Sequence, residues 1–214
     1  MRNGRITKAQ LKAITSLKKN YILQVNEKPL DFSKVFEKPE NPLIADVGFG
    51  SGESLLSLAE KNQDANIVGI EVYLSGIGIV LNQIKERGIT NLKIIYHDVA
   101  TLFENHIPDE TFDYLIFLYP DPWPKRKHHK RRLLRKEFIE LSYKKLKPAG
   151  VIYCKTDWEN HFLNLKKEFS SQRKWLEQNQ NALPFVLKNL SKTRYENKAI
   201  KEGRSSLALF YRKG

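Results

Sequence analysis

The chain has 214 residues, 41% of them hydrophobic, which suits one α/β domain burying roughly 70% of its unfolded surface. Thirty-seven Lys and Arg against 24 Asp and Glu leave a net charge of +13, which favours polyanionic partners and argues against cationic substrates such as polyamines. A single cysteine excludes an intrachain disulfide, no apolar segment approaches the length of a membrane span, and the N-terminus lacks a signal-peptide core, so a cytoplasmic protein without a membrane partner is expected.

Residues 1–42 read as a basic N-terminal arm and connector, and 43–214 as a single domain. Met1 to Asn20 carries six Lys or Arg and no acid, with Ile6, Leu11, Ile14 and Leu17 spaced loosely for a helix face. It is either a floppy terminus or an arm that orders on RNA. Asn26 to Pro42 holds three prolines and reads as a connector packed over the domain.

An apolar strand from Leu43 then runs into Gly48, Gly50 and Gly52, followed by a helix bearing Leu55, Leu56 and Leu58. Glycines at such a turn let a ligand approach the backbone. Glu53 stands where a dinucleotide fingerprint needs its third glycine, and no Lys-Ser/Thr follows, so a P-loop is excluded. Asp46 and Glu53 would repel a pyrophosphate. The turn suits a cationic ligand without phosphate, and S-adenosyl-L-methionine fits that description.

Two further strands also end in acids. Asn66–Glu71 places Glu71 about twenty residues after the glycines, where a carboxylate accepts ribose hydroxyls. Leu92–Asp98 places Asp98 where it would accept an exocyclic amine of adenine. Each acid alone could merely cap the next helix. Three on successive β-α units favour a pocket for a nucleoside and an amine. Between them Leu74, Ile77, Val80, Leu81 and Ile84 form a core-facing helical stripe.

A fourth apolar strand from Phe112 breaks at Tyr119-Pro-Asp-Pro-Trp-Pro-Lys125, and Lys125 to Lys136 then holds eight Lys or Arg, two His and no acid. That run, with Arg126, Lys127, Lys130, Arg131 and Arg132, reads as a cradle for a nucleic-acid backbone. Trp123 and Trp158 either stack on a base, wall the pocket or pack in the core. His128 and His129 suit phosphate contact better than catalysis. Cys154 lies in an apolar strand and reads as buried and inert, and no Cys/His cluster has metal-ligand spacing.

The chain resembles the bacterial tRNA (guanine-N7-)-methyltransferases from about residue 43 to 203. The likeness rests on Asp46-Val-Gly-Phe-Gly-Ser-Gly, Gly69-Ile-Glu71, His97-Asp98, Pro120-Asp-Pro-Trp-Pro-Lys125 with its basic tail, Lys155-Thr-Asp-Trp158 and Thr193-Arg-Tyr-Glu196. It implies a class I methyltransferase (Rossmann-like) fold, α/β, with a seven-stranded, mostly parallel sheet and an antiparallel last strand over Leu207 to Arg212. It implies S-adenosyl-L-methionine as cofactor and tRNA as partner, with methyl transfer to guanosine N7 in the variable loop. Asp46, Gly48, Gly50, Gly52, Glu71, Asp98 and Asp121 then map to cofactor positions, Asp121 being also the catalytic residue. Lys125, Asp157, Thr193, Arg194, Tyr195 and Glu196 map to substrate positions. Family members often carry Glu at the place of Asp46. Monomer and homodimer both stay open.

The residue chemistry agrees with that implication. Guanine N7 is a lone-pair nucleophile without a proton, so the reaction needs in-line positioning and tolerance of a growing positive charge rather than a general base. An exocyclic-amine methyltransferase would carry Asn/Asp-Pro-Pro-aromatic after this strand, whereas Trp123 follows Pro122 directly. A non-catalytic RNA-binding module has no use for Asp46, Glu71 and Asp98.

Overall fold

A computed structural model describes residues 6–188 and 190–214. The first five residues of the basic arm, with Arg2 and Arg5, lie outside the described residues.

The strands are β1 (Leu43–Val47), β2 (Asn66–Glu71), β3 (Leu92–Tyr96), β4 (Phe112–Leu118), β5 (Leu146–Thr156), β6 (Trp175–Glu177) and β7 (Leu207–Lys213). They form one sheet in the order β3-β2-β1-β4-β5-β7-β6. The first five pair in parallel, and β7 runs antiparallel to both neighbours, as the sequence led us to expect. The third strand ends at Tyr96 rather than at Asp98, because Asp98 turns out of the ladder to cap the helix that follows. Strand β6, only three residues long, carried no legible pattern.

β1 is wholly buried because both faces of the sheet are covered. Its residues alternate between two cores: Ala45 and Val47 join Phe103, Phe112, Phe117 and Phe138 on one side, while Ile44 joins Leu55, Leu58, Ile77 and Val80 on the other. The helices are α1 (Lys8–Tyr21), α2 (Glu53–Lys61), α3 (Leu74–Arg87), α4 (Val99–Asn105), α5 (Lys136–Lys145), α6 (Glu159–Ser170), α7 (Phe185–Lys188) and α8 (Arg194–Lys201). Asp46 shares the parity of Ile44, so its side chain points to the α2–α3 side.

Helix α1 opens with a capping box between Thr7 and Gln10 and docks on α3, burying Ala13 and Leu17 while Leu11 stays exposed. The contact is close because Gly78 of α3 has no side chain: a Cβ there would lie 2.6 Å from Gln10. The connector also lies on the domain, with Phe36 buried and the Phe32 ring 5.8 Å from that of Phe112. No helix among the described residues is long and apolar enough to cross a membrane.

Candidate active site

The turn after β1 holds Gly48, Gly50 and Gly52 at φ of +73°, +60° and +80°, a region that strains any residue with a Cβ. Glu71, at the end of β2, holds the turn. Its carboxylate accepts N–H bonds from Gly50 (2.8 Å), Val72 (2.7 Å) and Tyr73 (3.1 Å). From the outside, α3 presses on the same turn through Gly76, where a Cβ would sit 2.1 Å from the Gly50 carbonyl oxygen. Sequence reasoning missed Gly76; two glycines inside an otherwise helical apolar pattern were the available signal.

Asp46 is buried to 1% exposure, and neither carboxylate oxygen has a partner among the described residues. Burial, and secondarily the charge of Glu71, push its pKa up to about 7. A buried carboxylate without a donor is costly and points to a missing one. Asp98 behaves differently. It is exposed, and its Oδ1 caps α4 by accepting bonds from the Thr101 N–H (3.0 Å) and hydroxyl (3.2 Å).

The end of β4 is strained. Tyr119 and Trp123 both have positive φ (+55° and +42°), which is uncommon for side chains of that size. The Tyr119 N–H donates to the Lys155 carbonyl (2.7 Å), and its hydroxyl lies 2.5 Å from that of Ser206. Beyond it the exposed Asp121 carboxylate has no hydrogen-bond or ion-pair partner among the described residues, and partial desolvation raises its pKa. Burial raises the pKa of the Tyr73 phenol, as do the charges of Asp121, Glu71 and Tyr195. Burial also raises that of Glu71, with Asp121 contributing. Asp46, Glu71, Tyr73, Asp121 and Tyr195 therefore share one electrostatic neighbourhood. It lies beyond the carboxyl ends of β1, β2 and β4, where the strand order reverses, and this is where open α/β sheets bind ligands.

Asp157, after β5, is ion-paired to Arg204. Both guanidinium bonds (Nε 2.9 Å, Nη2 2.8 Å) land on Oδ2. Glu196 is buried and pairs with Lys155 at 2.7 Å, while the Thr193 hydroxyl caps α8 by accepting the Glu196 N–H (3.0 Å). Arg194 and Tyr195 are exposed on the first turn of α8, Tyr195 by 64%. Lys155, Arg204 and Ser206 were not singled out from sequence as partners of these groups.

Lys125 is exposed, and Arg126–Arg131 form a short 3₁₀ helix with Arg126, Lys127, Lys130 and Arg131 exposed. The Arg131 guanidinium lies 5.0 Å above the half-buried Trp123 ring, which His128 meets edge-on at 5.8 Å. Trp158 is 37% exposed. Arg132 corrects a sequence-based expectation. It is 3% exposed, donates Nε–H to the Pro122 carbonyl (2.7 Å) and packs Nη2 against His129 Nε2 (2.9 Å), so it does not present its charge to a nucleic-acid backbone. Cys154 is buried, its thiol pushed up to about 12 by burial, and is inert as a nucleophile.

Residues 40–209 match the family model described as "Putative methyltransferase". A tRNA (guanine-N(7)-)-methyltransferase of Aliivibrio salmonicida is 43% identical over 160 residues, 75% of this chain and 67% of its own. One from Legionella pneumophila is 35% identical over 173 residues, 80% of this chain and 77% of its own. The chain belongs to the tRNA (guanine-N(7)-)-methyltransferase family. In fold it is similar to the solved 16S rRNA methyltransferase KamB, with a TM-score of 0.59 at 14% identity over 100% of this chain and 97% of that one. Within the family's matched span, Glu71 at the end of β2 is in electrostatic range both of Asp46 on β1 and of Asp121 in the turn after β4.

Proposed function

We propose that this chain transfers a methyl group from S-adenosyl-L-methionine to N7 of a guanosine in the variable loop of tRNA. The observation that carries the reading is the gathering of Asp46, Glu71 and Asp121 around a glycine turn in a chain of net charge +13, directly beside an exposed basic helix. Family membership supports the same reaction.

The residues fit the cofactor. Asp46 is an orphaned buried carboxylate suited to a cationic amino group, and a Cβ built on Gly48 or Gly50 would meet only open space, so the turn has room for a ligand. Glu71 would accept ribose hydroxyls, Asp98 an exocyclic amine, and Asp121 would border the same site. When bound, the cofactor supplies an electrophilic methyl on a sulfonium. The chain's own residues then position the base. Asp121 takes the guanine N1–H and N2 amine and offsets the positive charge that grows on the purine. Asp157 and Glu196, their charges balanced by Arg204 and Lys155, line the substrate side together with Thr193, Arg194 and Tyr195. Lys125, Arg126, Lys127, Lys130 and Arg131 hold the phosphates.

Incubating the protein with an unmodified tRNA transcript and methyl-labelled cofactor, followed by nucleoside analysis, tests the reading. Label in 7-methylguanosine is the expected result. Label in another nucleoside, or none with tRNA bound, overturns it.

A further inference from the structure

Arg132 stands out in its own segment. Its neighbours in the basic run point to solvent, whereas its guanidinium is buried and pairs with no carboxylate among the described residues. A buried cation without an acid is expensive, and such an arrangement persists only where something else requires it. Its bonds show what it touches. Nε–H goes to the carbonyl of Pro122, the residue next to Asp121, and Nη2–H goes to His129 Nε2, which requires that nitrogen to be unprotonated. From α6 the buried His161 faces the same charge, 1% exposed with both ring nitrogens unpartnered among the described residues, its pKa pushed down to about 4 by burial and then by the Arg132 cation.

The turn needs such a hold. Pro120, Pro122 and Pro124 have no N–H to donate, and the residues flanking them, Tyr119 and Trp123, sit in strained left-handed backbone. A strained turn with few donors of its own keeps one shape only if its surroundings fix it. Arg131 fixes it through the Trp123 face and Arg132 through the Pro122 carbonyl.

We propose that Arg132 is a positioning residue for methyl transfer: braced by His129, it pins the Pro-Asp-Pro-Trp turn so that Asp121 faces the Glu71–Tyr73 side of the site. The inference rests on the role of Asp121 given above. Lysine at this position keeps the charge but not the two-armed fork, so Arg132→Lys separates geometry from electrostatics.

Three measurements test it. Arg132→Lys lowers kcat by roughly 10–10²-fold, the scale of a misplaced catalytic group, while KM for tRNA and the calorimetric Kd for S-adenosyl-L-methionine stay within about twofold. In the protein without tRNA, amide exchange at Tyr119, whose N–H donates to the Lys155 carbonyl at the start of the turn, accelerates by about tenfold or more while β1 and β4 keep their protection. In an Asp121→Asn background the same change costs less than about twofold, because the two residues act as a unit. Losses that multiply in the double variant, unchanged exchange in the turn, or a rise in KM for tRNA alone would overturn the proposal. If Arg132→Lys does not fold, His129→Leu removes the brace without touching the cation and should move kcat and exchange in the same direction, whereas His129→Gln, which restores an acceptor, should not. A parent protein that makes no 7-methylguanosine defeats the functional reading, and the exchange arm still reports whether Arg132 pins the turn.

Discussion

Asp46 offers the most direct test of the cofactor site, because its buried carboxyl titrates near neutrality. In the unliganded protein it is half-protonated at about pH 7. A cationic amino group needs it ionised, so binding releases a proton below that pH. The apparent Kd for S-adenosyl-L-methionine should therefore weaken tenfold per unit on the acid side, by about 25-fold between pH 7.5 and 5.5. Asp46→Asn keeps the size and loses the charge. It should bind about 10- to 150-fold more weakly at pH 7.5, the worth of a hydrogen bond to a charged group, and its Kd should be nearly flat with pH. Stability of the unliganded protein moves the other way. The folded pKa is raised, so the contribution of neutral Asp46 is complete below pH 3.8 and is lost as pH rises through about 7, a difference of roughly 4 kcal/mol at most. Urea unfolding should show Asp46→Asn gaining on the parent between pH 5 and 8. Isothermal calorimetry in buffers of different ionisation enthalpy counts the released proton. A parental Kd independent of pH, or an identical slope in Asp46→Asn, would refute the assignment; the second result would place the titration on Glu71.

The remaining expectations concern the turn, the basic helix and the glycine contacts. Asp121→Asn should cost on the order of 10²–10³ in turnover, as for one preorganised electrostatic contact, with tRNA affinity by filter binding nearly retained. Arg131→Gln should lower the salt slope of tRNA binding by roughly 0.7–0.9, whereas Arg132→Gln, whose charge is buried, should leave the slope unchanged. Gly76→Ala places a methyl against the Gly50 carbonyl and should displace the turn, weakening calorimetric cofactor binding by about 1–3 kcal/mol. Gly78→Ala meets Gln10 of α1 instead and should lower the melting temperature with cofactor affinity kept.

The sheet was legible because each parallel strand is buried on both faces and so reads as an apolar run, and because three glycines can follow such a run only where positive φ is needed. The strand-end acids looked alike in sequence and differ in space. Asp98 caps a helix on an outer strand, Glu71 ties down the glycine turn, and Asp46 is left without a donor. Sequence spacing does not distinguish these roles, since they depend on which N–H groups the neighbouring chain turns towards each carboxylate. Arg132 shows the same limit. A run of eight cations gives no sign of which one folds inward, because the signal is a carbonyl ten residues earlier whose partner is set by the path of the chain. The pairing of Asp157 with Arg204, 47 residues away, was invisible for the same reason.

Acids at the centre of a basic protein give it two ranges of selection. The exposed cations act over about a Debye length, roughly 8–10 Å, and draw in any polyanion. At contact distance Asp46, Glu71 and Asp121 repel phosphate and accept only groups that donate hydrogens or carry positive charge. Under the proposed reaction the product base is itself a cation, and a buried carboxylate against it would hold it as tightly as an ion pair in low dielectric. The carboxylates are graded accordingly. Asp46, assigned to the cofactor's amino group, is sealed from solvent, whereas Asp121, assigned to the base, is exposed, so water screens its pull on the product. Rigidity supplied by Arg132 then substitutes for burial. The turn holds Asp121 in place for the transition state without the low dielectric that would make the methylated base slow to leave.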